Sequence, residues 1–251
     1  MIRLLPIVVG LVVLWQGVVW VTGVPPFILP GPLAVAKALG TRWPVLVDHA
    51  AVTVLEIILG LLFGALLGAV SALMMASWRP ARRWLLPIFV VSQSIPVFAL
   101  APILVLWMGY GLLSKVAMAV LVIYFPVTAA FYDGLRQTET GWLDMARVMG
   151  ASPARILWHI RVPAALPRFA SGLRVATAVA PIGAIIGEWV GSSKGLGYLM
   201  LHANGRMQVD FMFAALFLLA AFSVCLYFTM DAGLRRLTAW AGVQDRGKEE
   251  E

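Results

Sequence analysis

Three polar side chains stand in apolar stretches where each costs free energy, and their types bound the chemistry open to this chain. Gln93 carries an amide whose donors and acceptor suit a neutral heterocycle. With Ser94 beside it, it either faces a solute or hydrogen-bonds a neighbouring helix. Glu188 and Glu56 are carboxylates. At the centre of a membrane helix such a group costs about 2.5 to 3.5 kcal/mol, and less near the interface. Glu188, near the end of its stretch with Trp189 beside it, is open to a gating role, an ion pair or a helix-end contact. Glu56, about a turn into its own stretch, is expected to snorkel to the surface. None of these groups makes a catalytic set. His202 is isolated, no Ser/His/Asp arrangement or cluster of metal ligands is visible, and no G-x-x-x-x-G-K-[ST] phosphate loop occurs. The chain therefore reads as a non-enzyme with no metal or cofactor of its own.

A second kind of chemistry is mechanical. Asp144 to Pro163 forms a polar, helix-forming island in an oily chain, and its small residues, turn formers and charges suit a docking element. Thr138 to Met149 has helical composition, with Trp142, Met145, Ala146 and Met149 on one face. Gly150 is placed to close this helix in the left-handed conformation. Ser152 followed by Pro153 is an N-cap and first-turn proline opening a second. Arg155, Trp158 and His159 lie along that second helix, and Pro163 and Pro167 are expected to end it. Physics alone also allows an amphipathic helix resting among lipid headgroups.

The elements that position these residues are membrane spans. With 251 residues, 61% hydrophobic and 12% charged, the chain has too little polar surface to cover a soluble globule. Its mean hydropathy of +0.91 agrees. Crossing a bilayer takes about 20 apolar residues. Six such runs are expected, at Leu4 to Gly23, Ala51 to Ala76, Leu85 to Trp107, Leu113 to Tyr132, Gly172 to Gly191 and Phe211 to Ala232. Together they form one domain over 1–243, with a cytoplasmic link at about 134–170 and a polar tail at 244–251. Alternating the spans puts fourteen of the 19 Lys and Arg residues on one side, which predicts that this side and both termini are cytoplasmic. The net charge of +7 is thus a topology signal, and no basic, aromatic solvated module suggests nucleic acid. Pro96, Pro102 and Pro181 predict bends. Trp107, Tyr110, Trp189 and Tyr198 read as interfacial anchors, and His202 and Asn204 as an outer loop. The single cysteine, Cys225, excludes an internal disulfide.

The island resembles the E-A-A-(x3)-G-(x9)-I-x-L-P signature of the membrane-spanning subunits of ATP-binding cassette (ABC) importers. Ala146, Gly150, Ile160 and Pro163 are in register, while Asp144, Met145 and Val162 replace Glu, Ala and Leu. Ser92 to Pro96 with Ala101 and Pro102, and Gly187 to Gly191 through Gly195 and Gly197, resemble the branch that includes importers of sulfonates, nitrate and thiamine-pyrimidine precursors. The resemblance implies an all-α, type I importer permease fold in which Asp144, Met145, Ala146, Gly150, Ser152, Pro153, Ile160 and Pro163 couple to an ATPase. It places the translocation path near Gln93, Ser94, Pro96, Glu188 and Trp189. The implied partners are two cytoplasmic ABC ATPases holding ATP and Mg, a second permease copy as a homodimer, an external solute-binding protein and membrane lipid. The implied location is the bacterial inner membrane. The implied cargo is hydroxymethylpyrimidine or a formyl-aminopyrimidine, or else a sulfonate, taurine or nitrate. An ion-coupled secondary transporter using Glu56 and Glu188 is the rival from another class.

Overall fold

A computed structural model describes residues 4–241, all of its regular elements helical. The polar tail expected at 244–251 lies outside them. In chain order the helices are α1 (Leu4–Thr22), α2 (Pro32–Thr41), α3 (Trp43–Ser77), α4 (Arg79–Ser94), α5 (Val97–Met108), α6 (Leu112–Arg136), α7 (Thr140–Val148), α8 (Pro153–Ile156), α9 (Val162–Gly191), α10 (Leu196–Gly205) and α11 (Val209–Leu237). A π-helical turn, Leu157–Arg161, joins α8 to α9.

Three long helices form the centre. Lipid tails are as apolar as leucine, so helices in a membrane associate through close packing, which small residues permit. Gly60, Gly64 and Gly68 make that stripe on α3. A Cβ at Gly60 would stand 2.5 Å from the Ala119 Cβ of α6, and one at Gly64 would stand 2.7 Å from Ile123 Cγ2. From the other side, Gly183 of α9 brings its backbone to Ala119, where a Cβ would lie 2.7 Å from Cα. Helix α6 is thus clasped between α3 and α9. Outside this trio, Trp15 of α1 stacks on Phe213 and Phe217 of α11, with ring centroids 5.9 and 5.5 Å away. Arg174 of α9 meets Asp231 of α11 at 2.6 Å.

Helices lie over all six expected spans, and the structure differs from the expectation in detail. Four helical runs are long and apolar enough to cross a membrane: α3, α6, Pro153–Gly191 and α11. Val9–Thr22 of α1 and α5 are shorter apolar helices. The third expected span is two helices, because Pro96 has no N–H to continue the ladder and the chain is extended at Ile95. Pro163 and Pro167 do not end the second helix of the island, which runs on without a break from Pro153 to Gly191. The π turn just before Pro163 supplies the reason: Val162 N–H reaches back to Leu157, and this wider turn makes room for a proline ring that an α-helical ladder would exclude. The outer loop expected around His202 and Asn204 is the helix α10.

Candidate functional site

At one end of the bundle the island folds as an elbow. Gly150 has φ +75°, and two bonds close α7 around it: Ala151 N–H to the Ala146 carbonyl at 2.9 Å and Gly150 N–H to that of Arg147 at 2.9 Å. This is the Schellman closure, which needs a left-handed residue and so selects glycine. A Cβ there would meet open space within this chain, so backbone conformation alone accounts for the glycine. Ser152 then opens α8, its Oγ accepting from Arg155 N–H at 3.4 Å, with Pro153 in the first turn.

The elbow has a small core of Leu143, Ala146 and Ile156, with Ala151 and Ile160 against it. Ala146 is therefore spent on internal packing. The outward side is apolar and uncovered: Met145 is 67% exposed, Val148 89% and Met149 76%. Asp144 pairs with Arg147 one turn on, at 2.6 Å. A hollow of about 390 Å³ lies in the crook, lined by Trp142, Met145, Ala146, Met149, His159, Ile160, Pro163 and Ala164, and by Trp240 beyond α11. Sequence reading singled out each of these except Ala164 and Trp240, and set Trp142, Met145, Ala146 and Met149 on one face. Trp240 lay too far along the chain for any local period to include it.

The other end of α9 carries a buried polar node. Glu188 is 1% exposed. Thr53 Oγ1 donates to its Oε1 at 2.5 Å, while the backbone N–H groups of Gly197 and Tyr198 donate to Oε2 at 2.5 and 3.3 Å. Leu196 N–H donates to Thr53 Oγ1 at 2.7 Å, and Gly195 N–H to His49 Nδ1 at 3.0 Å. The carboxylate of one helix thus satisfies the free first-turn donors of another. Of the three roles open to Glu188, a helix-end contact is the one its geometry displays.

Glu56 departs from expectation. It does not snorkel but is fully buried, and its carboxyl lies beside that of Glu188. Its counter-charge is Lys115 of α6, Nζ at 3.9 Å and also buried. Burial prevails because the residue points at α6 rather than at the surface, a direction fixed by the glycine stripe on the same helix. Lys115 lies at the start of the fourth expected span, and sequence reading did not foresee its pair with Glu56, nor the parts of Thr53 and His49.

The remaining path residues are scattered. Pro96 sits at the exposed break between α4 and α5, Trp189 is half exposed, and the side chains of Gln93 and Ser94 lie outside those described. Trp107 and Tyr110 are exposed, as anchors would be, while Tyr198 lies between the rings of His49 and His202.

Residues 60–239 match the family described as binding-protein-dependent transport system inner membrane component. A probable ABC transporter permease protein of Haemophilus influenzae is 58% identical over 238 residues, 94% of this chain and 97% of that protein. The formylaminopyrimidine transport permease protein ThiX of Halalkalibacterium halodurans is 36% identical, covering 85% of this chain and 86% of its own. The riboflavin transport system permease protein RibX of Chloroflexus aurantiacus is 33% identical, covering 92% and 87%. In fold, the chain is similar to one in the inward-facing MetNI methionine ABC transporter, with a TM-score of 0.68 at 22% identity over 79% of this chain and 98% of that one.

Proposed function

We propose that this chain, which belongs to the family of binding-protein-dependent transport system inner membrane components, carries a thiamine pyrimidine precursor such as hydroxymethylpyrimidine or formyl-aminopyrimidine. Membership rests on the match over residues 60–239 and on the 58% identity to a permease along nearly the whole chain. The chain is the permease subunit of an ABC importer, a multi-pass inner-membrane protein, and ATP hydrolysis belongs to a separate chain. Membership also displaces the ion-coupled rival, since this family is ATP-driven.

In this reading two copies of the chain pair with two ATPases that bind ATP and Mg, and with an external solute-binding protein. The elbow faces the cytoplasm, and Asp144, Met145, Ala146, Gly150, Ser152, Pro153, Ile160 and Pro163 shape or present its docking surface. The observation that carries the docking role is the uncovered apolar row of Met145, Val148 and Met149 on a helix rigidly closed at Gly150. When the ATPases close on ATP the two elbows approach, the helices rock from inward-open to outward-open, and hydrolysis resets them. The similarity to ThiX supports the cargo.

Gly150→Val tests the docking role. A β-branched residue at φ +75° is strained, so the ATPase recovered with the tagged permease should fall about tenfold or more, a loss of roughly 1–2 kcal/mol. Unaltered assembly and transport would refute it. For the cargo, the solute-binding protein that stimulates the complex should bind an aminopyrimidine in calorimetric titration. Binding of taurine or nitrate alone would favour the sulfonate-type alternative, and binding of riboflavin alone would refute both.

A further inference from the structure

Glu188 sits where two moving parts of this importer would have to be joined. It lies within the last turn of the helical run that begins at the elbow with Pro153 and ends at Gly191. That run of 39 residues would span roughly 58 Å at 1.5 Å per residue. It is braced along its length by α6, with Gly172 and Gly183 in backbone contact. Beyond Gly191 the chain is extended at Ser192, so the covalent link to α10 is itself no rigid joint.

Stiffness at that joint comes from the carboxylate. Glu188 takes up first-turn donors of α10 at Gly197 and Tyr198, and through Thr53 it connects to Leu196 and α3. The receiving segment is shaped around the carboxylate. Gly195 has φ +118°, and a Cβ on it would collide with the Glu188 carboxyl; a Cβ at Gly197 would come 2.9 Å from Oε2. Glycine at both positions is what lets the backbone amides close on a side-chain carboxyl group. His49 fastens the same turn from α3, its ring against Tyr198. Helix α10 then presents Leu201, His202, Asn204 and Arg206 outward, all exposed.

We propose that Glu188 is a positioning residue: seated in the Gly195–Leu196–Gly197 cradle, it makes α10 move as one body with α9, so that the outer surface of α10 follows the elbow. This rests on the reading of the elbow as the ATPase dock. Conversely, a binding protein that presses on α10 is felt at the elbow, since coupling between two sites is reciprocal.

The test uses the assembled importer in nanodiscs with its binding protein. Glu188→Ala should still co-purify the ATPase, yet the stimulation of ATP hydrolysis by cargo-loaded binding protein should drop by at least about fivefold. Glu188→Gln retains an amide oxygen to accept from Gly197 and Tyr198, and should keep more than half of the stimulation. A role that needs the charge itself predicts no such rescue, and a merely structural role predicts that the Ala variant loses ATPase co-purification together with stimulation. Full stimulation in Glu188→Ala would overturn the proposal, as would equal loss in Ala and Gln variants. Should the Ala variant fail to assemble, hydrogen exchange on the wild-type complex decides. The amides of Gly197 and Tyr198 should exchange far more slowly than exposed first-turn amides, and fast exchange there would overturn the proposal. Failure of the wild-type permease to retain any ATPase would instead strike the docking reading.

Discussion

The elbow and the Glu188 node lie at opposite ends of one helical run, and they are held by opposite means. At the elbow every closing bond joins near neighbours in sequence: Ala151 to Ala146, Gly150 to Arg147, Arg155 to Ser152. At the node the bonds reach across the chain, Thr53 to Glu188 and Gly195 to His49, the latter over 146 positions. The elbow turns its large apolar side chains outward, whereas the node buries its charges. A region that leaves its apolar surface open can form from local rules alone. A region that fixes one helix to another must satisfy each polar group internally, because no water is there to do so.

This contrast predicts a graded series of effects. Gly195→Ala should be the most damaging to stability, at about 3 kcal/mol, since it adds backbone strain at φ +118° to a methyl in the carboxylate's place. A thermal melt of the purified permease would report it. Thr53→Val keeps the shape but takes the Thr53 donor from Glu188 Oε1 and leaves Leu196 N–H without an acceptor, costing about 1–3 kcal/mol in the same melt. Ser152→Ala at the elbow should cost only about 1 kcal/mol, visible as faster exchange of the Arg155 amide with little change in the melting temperature. Arg147→Ala should fall below about 0.5 kcal/mol, because its pair with Asp144 is largely solvated. A larger drop in melting temperature for Ser152→Ala than for Gly195→Ala would break the comparison.

The same division decides what could be read in the sequence. Gly150, Ser152 and Pro153 announced the elbow because capping depends on residue type within a few positions. Trp142, Met145, Ala146 and Met149 showed their common face through helical period. Pro96 announced a bend, where the structure has a full break between α4 and α5. What escaped depended on tertiary placement. Whether Glu56 meets water or Lys115 depends on which face of α3 packs on α6; the glycines at 60, 64 and 68, four apart and in line with Glu56, mark that face, a signal that apolar periodicity does not carry. Pro163 and Pro167 looked like terminators because a proline ends an ordinary helical ladder, and nothing local marked Leu157–Arg161 as a wider turn. The family signature was legible throughout, since its spacing lies within one short segment.

That wider turn sets an angular offset between the elbow and the membrane-spanning part of a single rod. Each residue advances a helix by about 100°, so the extra residue accommodated between Leu157 and Arg161 decides which compass bearing the elbow takes relative to α9. Removing one residue there would close the turn that seats Pro163, kinking the rod, and would swing the elbow by about 100° relative to α9. Length in this stretch is therefore expected to tolerate far less change than side-chain identity does.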